Sequence, residues 1–217
     1  MQASLLLWVP LVIVGGVLFF WVVLLRLLSW LAARLGYSAP CPASVSWLVD
    51  NPVRRRYLRH VVDRVGVGSG ERILELGPGP GTFTLEAACR AGPQGSVVAV
   101  DIQPEMISSL QSKVREAGLL NVETYVAPAH QLPVHDSSID RAFMVTVLPE
   151  IPDKQQALSE LRRVLKPNGI LSVTEEFLDP DYPLPGTTVR WARQAGFELV
   201  ERHGNWWAYT LNFRRSG

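Results

Sequence analysis

The chain is poor in cysteine, with only Cys41 and Cys89 among its 217 residues. Neither belongs to a CxxC pair or a Cys/His cluster, so the sequence carries no metal signature, and a disulfide-framed scaffold is excluded. Acidic charge is missing from the first 49 residues: the first carboxylate is Asp50, and Arg26 and Arg34 are the only charges before it. From Met1 to Leu25 there is no charged side chain of either sign. No internal repeat is present, which excludes a solenoid. Apolar residues are not scarce, and 47% hydrophobic against 19% charged residues excludes a disordered or collagen-like chain. Long apolar runs are few, however. Only one reaches membrane-spanning length, so a polytopic membrane protein is excluded, and the remaining ~170 residues suit one ordinary domain.

The totals of 21 basic and 20 acidic residues and the mean hydropathy of +0.13 therefore average two unlike regions. The apolar run from Leu5 to Leu25, LLLWVPLVIVGGVLFFWVVLL, is 21 residues long. At ~1.5 Å per residue it would reach ~31 Å, the hydrocarbon thickness of a bilayer. No basic residue precedes Leu5, as a cleaved signal peptide would require, so the expectation is an uncleaved single-pass anchor. Trp8, Trp21 and Trp30 suit interfacial positions, and the nearby positive charge (Arg26, Arg34, Arg54, Arg55, Arg56, Arg59) all follows the run. That asymmetry predicts the N-terminus outside and the following domain cytoplasmic. The alternative is a helix buried in an oligomer seam, with Gly15 and Gly16 allowing close approach. The oligomeric state is left open.

Residues 1–37 are thus expected to be an anchor with an interfacial extension, RLLSWLAARLGY, and residues 38–44 a linker in which two prolines stop the helix. Residues 45–217 alternate helix and strand patterns. Strands are expected over Arg72 to Leu76, Ser96 to Asp101, Val122 to Val126, Ile139 to Leu148, Gly169 to Thr174, Phe197 to Arg202 and Ala208 to Phe213. Helices are expected over Asn51 to Val65, Thr82 to Arg90, Pro104 to Ala117, Lys154 to Leu165 and Thr187 to Ala195. Such alternation predicts an α/β domain, Rossmann-like and doubly wound, with a mostly parallel seven-stranded sheet.

The chemistry is carried by Glu75-Leu76-Gly77-Pro78-Gly79-Pro80-Gly81-Thr82. Three glycines between a first strand and a helix permit a tight turn and close approach of a ligand to the backbone. The spacing is GxGxG rather than the dinucleotide GxGxxG, and Pro78 and Pro80 remove donors that a pyrophosphate would use. A nucleotide without a pyrophosphate fits better. Asp101 ends the second strand 24 residues after Gly77, where a carboxylate can accept from both ribose hydroxyls.

In ILELGPGPGTFT (73–84), VVAVDIQPEMI (97–107), AHQLPVHDSSIDRAF (129–143) and LRRVLKPNGILSVTE (161–175), the sequence resembles the class I S-adenosylmethionine-dependent methyltransferases. The last two segments are most similar to the subgroup that includes the ubiquinone/menaquinone C-methyltransferases and many small-molecule methyltransferases. The resemblance implies S-adenosylmethionine as cofactor. It implies Glu75 near the amino acid end of that cofactor, Gly77, Gly79 and Gly81 beneath it, Asp101 on the ribose and Ile102 against the adenine. Ala129 and His130 would flank the adenine edge, and Val145 and Thr146 would face the methionine moiety. Two positions depart from the family pattern. Ala127-Pro128-Ala129 stands where relatives carry Gly-Asp-Ala, and Asn168 replaces a glycine in the turn before the fifth strand, a change tolerated because Asn accepts positive φ.

Methyl transfer from a sulfonium asks the protein mainly for placement and a dry site. Candidates for orienting or deprotonating an acceptor are Glu150, Glu175 and Tyr182, with Glu176 and Asp181 beside them. Glu175 or Glu176 has the alternative role of a solvated cap. Arg54, Arg55, Arg56, Arg59 and Arg64 suggest a basic patch. With Arg26 and Arg34 set aside, though, 19 basic residues face 20 acidic ones, which disfavours nucleic acid and favours anionic headgroups beside the anchor. The expectation is a membrane-anchored methyltransferase with a small-molecule or lipid acceptor, such as a quinone precursor or a phospholipid headgroup. A soluble small molecule or a thiol is the enzymatic alternative, and a non-catalytic cofactor-binding module attached to the membrane is the alternative from another class.

Overall fold

The computed structural model describes residues 12–13, 15–17, 19–21, 23–24, 27–28, 31 and 52–216. The expected span, its extension and the linker over 38–44 lie largely outside them. The described residues between Val12 and Leu31 are helical, and Val12, Phe19 and Phe20 are exposed. Among the described residues no helix is long and apolar enough to cross a membrane.

From Pro52 the chain runs α1 (Pro52–Tyr57), α2 (Val61–Val65), β1 (Arg72–Leu76), α3 (Thr84–Ala91), β2 (Ser96–Asp101), α4 (Pro104–Glu116) and β3 (Val122–Val126). It continues through β4 (Ile139–Val145), a 3-10 turn (Leu148–Glu150), α5 (Lys154–Val164), β5 (Leu165–Glu176), α6 (Pro185–Gln194), β6 (Phe197–Gly204) and β7 (Ala208–Arg215). The seven strands form one sheet in the order β3-β2-β1-β4-β5-β7-β6. All neighbours are parallel except β7, which runs antiparallel to both β5 and β6. This is the expected Rossmann-like, mostly parallel sheet.

Several boundaries differ from expectation by a few residues, and three of the differences have local reasons. The expected helix over 51–65 is two short helices, broken around Leu58 to His60, where Leu58 turns into the core at 2% exposure. The fourth strand stops at Val145 because Thr146 takes a left-handed φ of 55°. Pairing of β5 begins at Leu165 opposite Ile139 and resumes at Ile170 opposite Arg141, so the Lys-Pro-Asn-Gly segment is an irregularity within the strand. Asn168 is not among the positive-φ residues there, and its substitution for glycine needs no left-handed tolerance.

Burial follows the pleat. Along β1, Ile73 packs with Leu58, Val61, Ala87 and Phe143 on the side of α2 and α3, while Leu74 packs with Leu158, Leu161 and Leu211 on the side of α5. Strands covered on both faces read as continuous apolar runs, as Val97 to Val100 does. The edge strands β3 and β6 are mostly exposed or half-exposed. Parallel strands β1, β2, β4 and β5 thus end on one rim, and β7 begins there. Leu74→Ala, at 0% exposure in the second strand neighbour of β5, is expected to cost about 2–5 kcal/mol in a denaturant melt with the fold retained.

Candidate active site

The rim begins at Glu75, near the end of β1, which is 2% exposed and accepts a hydrogen bond from Thr84 Oγ1 at 2.5 Å. Thr84 opens α3, so this contact ties the strand to the helix that follows the glycine loop. Burial pushes the Glu75 carboxyl up to about 8; the Thr84 bond opposes that rise and the nearby Asp101 charge adds to it. Within the loop, Gly77 has φ 68°, and a Cβ there would stand 2.4 Å from Val147 Cγ2. Gly79, at φ 54°, has nothing within 4 Å of that position. One glycine is demanded by packing and the other leaves room above the backbone.

Asp101 ends β2 at 7% exposure. Its Oδ2 accepts from Gly79 N at 3.2 Å and its Oδ1 from Gln103 N at 3.0 Å. Burial raises its pKa, and backbone hydrogen bonds hold the rise back. The backbone carbonyl of Asp101 accepts from Ala127 N at 3.0 Å, which fixes the start of the loop after β3. Ile102 is 56% exposed on this rim, Ala129 is half-buried and His130 is exposed.

At the end of β4, Val145 is 8% exposed, and the next residue, Thr146, donates through Oγ1 to the Val145 carbonyl. Arg54, from α1, donates through Nη2 to Thr146 Oγ1 at 3.1 Å and through Nε to Glu176 Oε1 at 2.5 Å. The two side chains are 12% and 7% exposed, so this ion pair is well shielded from solvent. Arg54 is therefore no part of a headgroup-facing basic patch. It turns inward to brace the ends of β4 and β5, and this correction also removes Glu176 from the solvated alternatives. In sequence Arg54 is one of three consecutive arginines, and nothing local separates it from Arg55 and Arg56, which are exposed.

Glu175 is 0% exposed, and neither carboxylate oxygen has a hydrogen-bond partner among the described residues. Glu150 and Asp181 are half-buried. Tyr182 donates to the Trp206 carbonyl at 2.5 Å. Two groups of the expected site residues are thus brought together: Glu75, Gly79 and Asp101 at one part of the rim, and Glu150, Glu175, Tyr182 and Asp181 at another. Among the described residues, no side-chain hydrogen bond or ion pair draws His130 toward either group.

A Rossmann-like sheet with this loop and acid pair defines the class of enzymes that hold a nucleoside cofactor at the carboxyl ends of parallel strands. A family described as "Methyltransferase domain" matches residues 68–203, and the chain belongs to that family of enzymes, for which the cofactor is S-adenosylmethionine. It is 34% identical over 137 residues to the ubiquinone/menaquinone biosynthesis C-methyltransferase of Vibrio campbellii, covering 61% of this chain and 53% of that protein. It is 36% identical over 153 residues to an uncharacterized 37.1 kDa protein in transposon TN4556 of Streptomyces fradiae, covering 68% and 44%. The chain spans about half the length of these relatives. The fold is shared with a methyltransferase from Aquifex aeolicus at TM-score 0.75 and 23% identity, over 80% of this chain and 98% of that one.

The Glu75 pKa has a sign that can be checked. With the folded value near 8 and the ordinary value 4.5, Glu75 stays protonated on folding while the unfolded chain ionises above 4.5. The ligand-free protein should therefore lose stability as pH rises between these values. Glu75→Gln, which keeps the neutral shape, is expected to be more stable than the wild type by on the order of a few kcal/mol above pH 8. The gap should close near pH 4.5 in denaturant melts, and a pH-independent gap would contradict the assignment.

Proposed function

We propose that the chain transfers the methyl group of S-adenosylmethionine to an acceptor held at the rim of β4 and β5. The observation that carries this reading is the pairing of Asp101 with the glycine loop, where the carboxylate engages Gly79 and Gln103 and the backbone at Gly79 lies open. Each carboxylate oxygen has two lone-pair directions, so Asp101 can accept from ribose hydroxyls without giving up those backbone bonds. Glu75 is suited to the cofactor's ammonium, because a nearby cation would favour the carboxylate that burial now suppresses. Gly77 and Gly81 shape the loop, Ile102 offers an apolar surface to the adenine, and Ala129 and His130 border it from the loop after β3. Val145 and Thr146 line the methionine side, with Thr146 fixed by Arg54. The cofactor supplies an activated methyl; the chain's own residues bind, orient and exclude water.

For the acceptor, Glu150, Glu175 and Tyr182 are the proposed orienting or proton-accepting groups. A membrane-partitioned acceptor, such as a quinone precursor or a lipid headgroup, is supported by the apolar run before Arg26 and by exposed apolar side chains on the site's rim, Leu178 at 68%, Leu184 at 71% and Trp206 at 63%. The similarity to C-methyltransferases of quinone biosynthesis supports the same reading. In it the N-terminal run is a single-pass anchor with the domain on the cytoplasmic side.

Asp101→Ala is expected to weaken S-adenosylhomocysteine binding by about tenfold or more in calorimetry, since two backbone-oriented hydrogen bonds to a ligand are lost. Unchanged affinity would refute the ribose assignment. A chain beginning at Cys41 is expected to bind the cofactor as well as the full chain but to remain in the aqueous phase of a liposome flotation assay. Flotation of that shorter chain would remove the N-terminal run from the membrane reading.

A further inference from the structure

Beyond the residues assigned to the methyl donor, the carboxyl end of β5 gathers acids of which Glu175 is the centre. Burial raises its pKa well above the carboxylate range, and Asp179, Glu150, Glu176 and Asp181 each raise it further. Asp179 is itself pushed up to about 6, first by burial. A buried carboxyl whose oxygens have no hydrogen-bond partner among the described residues is costly to the fold, and a catalytic or ligand-binding role is one physical reason for a fold to keep it. The neighbouring cations are engaged elsewhere. Arg54 holds Glu176 and Thr146. Lys154 feels Asp181 and Glu175, but its Nζ donates to the Ile151 carbonyl at 2.7 Å and sits 5.3 Å over the Trp191 ring. A metal ion is a poor candidate, because among the described residues no three His, Cys, Asp or Glu side chains are grouped to hold one.

An aromatic wall stands directly beyond these acids. Phe177 follows Glu176 and stacks on Trp207 with centroids 4.8 Å apart. Its ring meets Trp206 and Tyr182 edge-on at 5.5 and 5.7 Å. Tyr182 meets Tyr209 at 5.6 Å, and Tyr209 is the residue paired with Glu175 across β5 and β7. Carboxylates give an organic cation its countercharge and aromatic faces give it cation–π contact, while neither favours a neutral quinol.

We propose that the methyl acceptor is an amine, recognised as its ammonium by Glu175 and the adjoining acids against the wall of Phe177, Tyr182, Trp206 and Trp207. This rests on the methyl-transfer reading above and names its substrate class. The ammonium gives one proton to a carboxylate of the cluster. The freed nitrogen lone pair forms the N–C bond as the methyl–sulfur bond breaks with its electrons staying on sulfur, and the product leaves as the methylated ammonium. The amine is carried by a lipid headgroup or by a free amino alcohol.

The test uses the full chain in detergent with S-adenosylhomocysteine present, titrated calorimetrically with 2-(dimethylamino)ethanol and with its neutral isostere 3-methylbutan-1-ol. In parallel, transfer of labelled methyl is followed into vesicles of phosphatidylcholine with or without phosphatidylethanolamine. The amine is expected to bind about tenfold tighter than the isostere, or label to enter only the vesicles containing phosphatidylethanolamine. The first outcome identifies a free amino alcohol and the second a headgroup. Affinity should rise as pH climbs above the ordinary carboxylate range and Glu175 ionises against the opposition of Glu150, Glu176, Asp179 and Asp181, with Lys154 beside Glu175 and Arg54 beside Asp179 as the facing cations; Tyr209, on β7, stays protonated throughout. Glu175→Gln matches the neutral carboxyl in shape and should fold. It is expected to abolish the amine preference while S-adenosylhomocysteine affinity stays within about twofold, because none of the residues proposed to hold that ligand is Glu175. Equal binding of amine and isostere, together with equal labelling of both vesicles, overturns the amine proposal alone. Failure of the wild-type chain to bind S-adenosylhomocysteine overturns the methyltransferase reading and this proposal with it.

Discussion

The carboxylate of Asp101 holds together the part of the molecule on which everything else is arranged. Parallel pairing sets Leu76 opposite Val100, so the loops leaving β1 and β2 emerge side by side. Without a shared partner their backbone N–H groups would each need a separate solution. One oxygen of Asp101 takes the loop after β1 and the other takes the entry to α4. Its own carbonyl fixes the chain after β3. Three successive crossovers thus meet at one residue, and the open space over Gly79 is defined by their meeting.

The two rims of the sheet are built on different electrostatic terms. At the amino-terminal rim of β4 and β5, charges are answered: Lys166 pairs with Asp140 at 2.6 Å, and Arg163 is bonded to Glu160 and Asp136. At the opposite rim, burial forces Glu75, Glu175 and Asp179 upward in pKa, and Arg54 with Glu176 is the strong pair. Groups held away from their preferred protonation state lower the stability of the empty fold, and a ligand cation relieves them. The uneven satisfaction of the two rims marks where binding is to be expected more clearly than any single side chain does.

Most of the sheet was legible in the sequence because its strands are short apolar runs closed by turn residues. Arg72 to Leu76, Ser96 to Asp101 and Val122 to Val126 have the observed limits, and the GxGxG loop and Asp101 announce the side proposed for the cofactor. What was not legible depended on contacts between distant residues. Nothing in PVRRRYLRH marks the break at Leu58 or the inward turn of Arg54, since both are decided by packing against β4 and β5. The aromatic wall joins Phe177 to residues about thirty positions later, and only the antiparallel return of β7 brings them together. The orphaned state of Glu175 is likewise invisible locally, because Glu175 and Glu176 are adjacent and alike while the pleat sends them to opposite faces.

The place of β7 has a consequence for the history of each molecule. It is the last strand in sequence, yet it lies between β5 and β6. As the chain is made, β6 has no strand to pair with until β7 is available, and β5 waits with one edge open. The order of synthesis and the order of pairing are therefore opposed at this side of the sheet, and an apolar edge is exposed for as long as the mismatch lasts. The aromatic wall and the environment of Glu175 come into being with that final insertion. The proposed cofactor platform of β1 and β2 requires none of it, so under that proposal a nascent chain can organise a place for the methyl donor before it has any place for the group that receives the methyl.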